Sequence, residues 1–290
     1  MDSTISARGS HTRRLNADGK GLAAFFALAF FLSWLLWIPA ALASREIVEA
    51  PLSTGTARFL GVFGPTVAAL VVTGATEGRP GVRRLLAGLH RWRVGGRWYL
   101  FVLLWPPALL LGVGVLATAL GGPFPDYATP PVLDLYPVPP EVAALGPWPL
   151  FPVVFLQTLL LGSPLGEELG WRGYALPRLQ AGRSALVASV LIGFAWGLWH
   201  LPLALTVGDP LNGTRFAPYL ATVVLDAILF TWVFNNTDGS LLLAILFHTS
   251  IAVAGLFVAA PDAPLLSLGL RAATVGAVLA LTDPATLTRR

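Results

Sequence analysis

The chain contains no cysteine, which excludes disulfides, thiolate metal sites and a cysteine nucleophile. Charge is scarce too. Asp, Glu, Lys and Arg make up 12% of 290 residues, against ~25% in a soluble domain. So few charges cannot coat a water-facing surface of this size. That excludes an ordinary soluble enzyme, a disordered chain and a nucleic-acid binder, although the pI is near 10. Lysine is almost missing, one residue against eighteen arginines. No internal repeat period is visible.

What is abundant is apolar: 55% of residues are hydrophobic and the mean hydropathy is +0.71. The composition implies an all-α polytopic integral membrane protein of about eight transmembrane helices, each needing ~20 apolar residues. Long apolar runs are expected to span at 21–44, 58–75, 98–120, 149–171, 184–206, 217–235, 240–259 and 264–282. The later joints, Asn235–Gly239 and Pro261–Pro264, are turn chemistry. Arg271 interrupts the eighth run.

Arginine placement sets the expected orientation. With the N-terminus cytoplasmic, Arg8, Arg13, Arg14, Lys20, the six arginines of 79–97, Arg172, Arg178, Arg183, Arg289 and Arg290 all lie inside, fifteen of nineteen basic residues. Arg45, Arg58 and Arg215 lie outside. The Pro-rich outer loop, 121–148, has no Lys or Arg. Both termini are therefore expected in the cytoplasm, and the setting is expected to be a prokaryotic plasma membrane. Residues 1–20 are read as a disordered cytoplasmic N-terminus. Thr12-Arg13-Arg14 before an apolar run and Ala41-Leu42-Ala43 imitate a signal, but the run exceeds a ~7–15-residue signal core, so an uncleaved first span is expected. Segment 76–97 carries Leu85, Leu86, Leu89 and Trp92 at helical spacing among arginines, as in a helix lying at the headgroups. A plain positive-inside loop is the alternative.

Ionisable groups at membrane depth cost roughly 2.5–3.5 kcal/mol each and need a reason. Those here are Glu167, Glu168, Arg172, His200, Asp226, His248 and Arg271. Glu168 and Arg172 form an i,i+4 pair, while Glu167 points ~100° away. A span ending in solvated charges explains one Glu. It explains less well two carboxylates followed by Leu169, Trp171, Tyr174 and Leu176. Spans four and five form a hairpin turning near Ala181-Gly182, which puts Glu167 and His200 at depths differing by ~7.5 Å. His248 lies ~13 Å from the turn at Gly239. The three can meet. A carboxylate and two imidazoles suit either of two chemistries: Glu167 takes a proton from water while imidazoles orient it and stabilise an oxyanion, or Glu167, His200 and His248 hold a divalent metal, such as zinc, that activates the water. Asp226 and Arg271, each the sole charge of its span, are expected to pair.

The order Glu167-Glu168-x-x-x-Arg172, then Trp196 to Pro202, then Gly239 to His248 resembles the CPBP intramembrane proteases, the CAAX prenyl endopeptidases and their bacterial Abi relatives. The resemblance covers roughly 150–255. It implies a CAAX-protease-like helical core at 149–259, preceded by helices over 21–148 and followed by a last helix and tail at 260–290. It implies peptide-bond hydrolysis on a membrane-anchored protein or peptide, with no nucleic-acid partner. By position Glu167 is the general base, Glu168 its motif partner, Arg172 the motif arginine, His200 the water-positioning group and His248 the oxyanion holder. Two positions depart from the family: Trp196 stands for Phe, and Ala252 for the Asn or Asp four residues after His248. Ala252 has no donor, so Thr249, Asn235 or Asn236 is the expected substitute. Two other functions remain in view: a non-catalytic CPBP-like membrane scaffold, suggested by Ala252, and a proton-coupled transporter. A compact Glu-His-His cluster distinguishes hydrolase from transporter, which needs a polar file through both leaflets.

Overall fold

The structure is a computed structural model that describes residues 3–135, 141 and 145–289, with side chains from residue 19 onward. The expected disordered segment 1–20 therefore lies mostly outside the residues described in full, as does the middle of the Pro-rich loop. The long helices are α1 Ser3–Ala43, α2 Thr54–Gly61, α3 Gly64–Ala87, α4 Gly96–Ala119, α5 Phe151–Leu161, α6 Ser163–Glu168, α7 Leu176–Gln180, α8 Ala185–Trp199, α9 Phe216–Asn235, α10 Leu241–Phe257 and α11 Pro264–Leu281, the short α6 and α7 being pieces of one span. Six spans are long and apolar enough to cross a membrane, and α8 and α10 are shorter apolar helices. Together they occupy the eight places expected of a polytopic all-α membrane protein.

Helix ends follow local chemistry. Ser53, Ser184 and Ser240 cap α2, α8 and α10 through their side-chain oxygens, each accepting an N–H of the first turn. Prolines sit in the first turns of α3, α5, α6, α7 and α11, where a missing N–H costs nothing. Phe31 and Leu35 on α1, Leu100 and Leu104 on α4, and Leu191, Phe194 and Leu198 on α8 are exposed at helical spacing. Such faces suit lipid rather than water.

Three boundaries differ from expectation, each for a visible reason. The second span does not end at 75. Gly78 takes φ 65°, bending the helix ahead of Pro80 and letting it resume to Ala87. The arginine segment is thus helical only to Ala87, followed by a 3₁₀ turn at Gly88–His90. Leu85, Leu86 and Leu89 pack on the core, while Trp92 is exposed. The fourth span runs from Trp148 to Gln180 rather than ending at 171. Glu167, Glu168 and Arg172 consequently lie in its middle and are buried, which removes the reading of solvated terminal charges. The fifth span stops at Trp199, and His200 begins a helical turn at Leu201–Ala204 with Pro202 inside it.

Packing is built on close approaches. α8 crosses α9, α1 packs on α2 and α3, and α10 packs on α4, α5 and α6. Arg271 Nε donates to Asp226 Oδ1 at 3.0 Å, pairing α11 with α9 inside the bundle as expected. At the loop end, Arg45 donates to the Leu205 carbonyl and Arg58 pairs with Asp209. At the other end, a small antiparallel hairpin, β1 Thr282–Asp283 with β2 Thr288–Arg289, closes the chain. Ala185 N–H donates to Ala285 O, and the Asn235 and Asn236 amides donate to Thr286 O and Leu287 O, so the hairpin caps the ends of α8 and α9.

Candidate active site

The fourth span is broken twice, and the breaks build the site. At Gly162 the backbone turns extended, φ −88° and ψ −176°, ending α5, and Pro164 starts α6. Leu169–Ala175 then runs as a π-helix, a widening frequent at functional sites. The glycines either side of the two carboxylates explain where this segment sits. A Cβ on Gly166 would lie 2.6 Å from Val62 O, and one on Gly170 2.6 Å from Pro65 O. Only glycine lets the backbone press against the α2–α3 joint, and that contact holds both glutamates in the bundle interior.

Glu168 is fully buried and anchors two groups. Arg172 Nη1 lies 3.0 Å from each of its carboxylate oxygens, and His248 Nδ1 lies 2.7 Å from Oε1. The guanidinium of Arg172 also stacks 3.9 Å from the Phe230 ring centre and 4.5 Å from that of Trp196. A carboxylate accepts only, so His248 donates from Nδ1 and turns Nε2 away from Glu168.

Glu167 is placed differently. Its Oε2 accepts from Trp196 Nε1 at 2.5 Å, and among the described residues it forms no ion pair. His200 Nδ1 lies 2.8 Å from the Trp196 carbonyl. That carbonyl can only accept, so His200 also donates from Nδ1 and presents Nε2 as a lone pair.

Trp196 is therefore the hub. Its N–H holds Glu167, its carbonyl orients His200, and its ring lies 5.4 Å from the His248 ring and 6.2 Å from that of His200. Glu167, His200 and His248 all lie against this one residue. His248, however, bonds Glu168 and not Glu167. The role of Trp196 was not foreseen, although its signal was present: an indole carries an N–H where the motif phenylalanine has none. Tyr219 is a second unforeseen neighbour, its ring 5.9 Å from His200. It lines a cavity of about 640 Å³ together with Arg215, Asp262 and Ser267. That cavity opens among the loops opposite the arginine-rich end.

The three substitutes expected for the missing donor at Ala252 are committed elsewhere. Thr249 donates to Ile245 O at 2.8 Å. Asn235 and Asn236 are tied to Gln180 and the C-terminal hairpin. Among the described residues no group of three His, Cys, Asp or Glu side chains is placed to hold an ion. His200 and His248 each bond a protein partner through Nδ1 alone, and Glu167 through Oε2.

Against known proteins, residues 148–254 match the family model described as type II CAAX prenyl endopeptidase, Rce1-like. A curated relative, CAAX prenyl protease 2 of Methanococcus maripaludis, is 38% identical over 104 residues. The match covers 33% of this chain and 37% of that protein, so the chain spans little more than a third of its curated relative.

Proposed function

We propose that this chain, a polytopic membrane protein carrying a segment of the CAAX-protease (CPBP) family at residues 148–254, is an intramembrane endopeptidase. The observation behind this reading is the division of labour between adjacent buried carboxylates. Glu168 is committed to Arg172 and His248. Glu167 has an indole N–H and no counter-cation among the described residues.

In the proposed reaction Glu167 takes a proton from water as the water oxygen attacks the scissile carbonyl carbon. His200 Nε2 accepts a hydrogen bond from that water and aims it. The tetrahedral oxyanion is met by His248, which can donate from Nε2 only as an imidazolium, with Glu168 as its counter-charge. The C–N bond then breaks, and the proton on Glu167 passes to the leaving amine. No step is routed through a metal. Fold membership does not specify a substrate. The substrate class proposed is a membrane-anchored peptide or protein, prenylated or not.

A purified-protein assay on membrane-anchored peptides tests this. Cleavage is expected in the wild type and is expected to fall by about 10²–10⁴-fold in Glu167→Gln with the fold intact. It is also expected to survive chelator treatment. Loss on chelation with recovery on adding zinc would replace the proposal with a metal mechanism. A second reading, a non-catalytic membrane scaffold, is favoured by one observation: Ala252 has no donor, and the nearby candidates are all engaged. Absence of cleavage across the panel by a folded wild type would decide for it.

A further inference from the structure

We propose that a cavity between α3, the π-helix and the start of α10 binds a phosphate group, and that the phosphate belongs to an anionic phospholipid. The cavity holds about 250 Å³, several times the ~30 Å³ share of one water. Three guanidinium groups line it, Arg84, Arg91 and Arg178, against one carboxylate, Glu77. Glu77 already bridges two of them, with Arg84 Nη2 at 2.6 Å and Arg178 on its other oxygen. The lining keeps a surplus of two positive charges.

The second observation is Thr73, which lines the same cavity. Its side chain is buried, and its hydroxyl has no hydrogen-bond partner. A buried helical threonine normally returns its hydroxyl to the carbonyl four residues back. Thr231 and Thr249 do so here, at 2.9 and 2.8 Å. Thr73 departs from that habit and leaves a buried donor beside the cation cluster. Glycine keeps the cradle tight. A Cβ on Gly81 would lie 3.0 Å from Thr73 Cγ2, and one on Gly239 2.8 Å from Arg91 Nη1.

A headgroup is the favoured source for two reasons. The lining also includes apolar side chains, Leu85, Phe234 and Leu241. Next in sequence to the lining residue Arg91 stands Trp92, an exposed aromatic among arginines, which is the composition of a membrane–water interface. Basic pockets between helices at that depth hold anionic headgroups.

The test uses the purified full chain in a neutral detergent, titrated separately with phosphatidylglycerol, phosphatidylcholine and inorganic phosphate, reading melting temperature and lipid adducts by native mass spectrometry. Phosphatidylglycerol is expected to stay bound and raise the melting temperature, and phosphatidylcholine to do neither. Arg84→Gln and Arg91→Gln should each weaken phosphatidylglycerol binding roughly fivefold, and Thr73→Val should weaken it less. Arg79→Gln with Arg83→Gln, two arginines outside this cavity, should leave it unchanged. Equal retention of both lipids, or equal loss in the Arg79/Arg83 control, would overturn the site in favour of general surface charge. A full shift from inorganic phosphate, with none from phosphatidylglycerol, would overturn the lipid assignment. Arg84 is 65% exposed, so its variant folds and decides the matter even if Thr73→Val does not.

Discussion

Glu167 and Glu168 are neighbours in sequence and opposites in environment. Removing the charge of Glu168 strands Arg172 and His248, both buried against it. Breaking one partner of a buried pair costs about 3–5 kcal/mol. Glu168→Gln is therefore expected to lower thermal stability as well as turnover, whereas Glu167→Gln lowers turnover alone. Melting curves of the two variants beside the cleavage assay check the split, and a Glu168→Gln protein as stable as the wild type contradicts it. Ala252 is the other informative residue, one helical turn beyond His248 on α10. A donor there has no competitor, since Thr249 and the two asparagines are engaged elsewhere. Ala252→Asn is expected to raise kcat, with an upper bound of about 2.7–4 kcal/mol for one oxyanion donor. Unchanged kcat in a well-folded variant would mean the oxyanion does not sit near this turn.

At the scale of elements, the fourth span and the α9–α11 pair decide most. The glycine contacts on the α2–α3 joint hold the carboxylates of α6 at mid-bundle, and the π-helix follows directly after them. Asp226 and Arg271 lock α9 to α11. Asp226→Asn and Arg271→Gln are each expected to reduce yield and melting temperature more than the double replacement does, because each single change leaves a buried charge alone. A double-mutant cycle in detergent reads this directly, and additive single effects would dissolve the pair. The pairing was legible from the sequence because each residue is the sole charge of an apolar run. The pairing of His248 with Glu168 was not, because it spans 80 residues and depends on how α10 rotates against α6.

For the whole molecule, the testable expectation from the arginine distribution is that both termini face the cytoplasm. The absence of cysteine makes the test clean. A single cysteine placed at Gly121 should be labelled by an impermeant thiol reagent from outside intact cells, and one at Thr286 only after permeabilisation. The reverse pattern would invert the molecule and put the cavity at Tyr219 on the cytoplasmic side. The basic cavity and the C-terminal hairpin lie at one end of the bundle, and the cavity lined by Tyr219 lies at the other, so this single measurement also tells which of them faces the cytoplasm.

Composition and run length alone established the membrane, the helical class and the eight apolar helices, because hydrophobic burial and backbone hydrogen bonding leave a lipid-embedded chain few alternatives. Motif order along the chain supplied Glu167, Glu168, Arg172, His200 and His248, since residue type and spacing are local properties. The helix breaks at Gly78 and Gly162, the indole N–H of Trp196 on Glu167 and the turn of His248 toward Glu168 belong to the tertiary structure. Each depends on how one helix rotates and closes against another, which is set by side-chain packing across residues far apart in the chain.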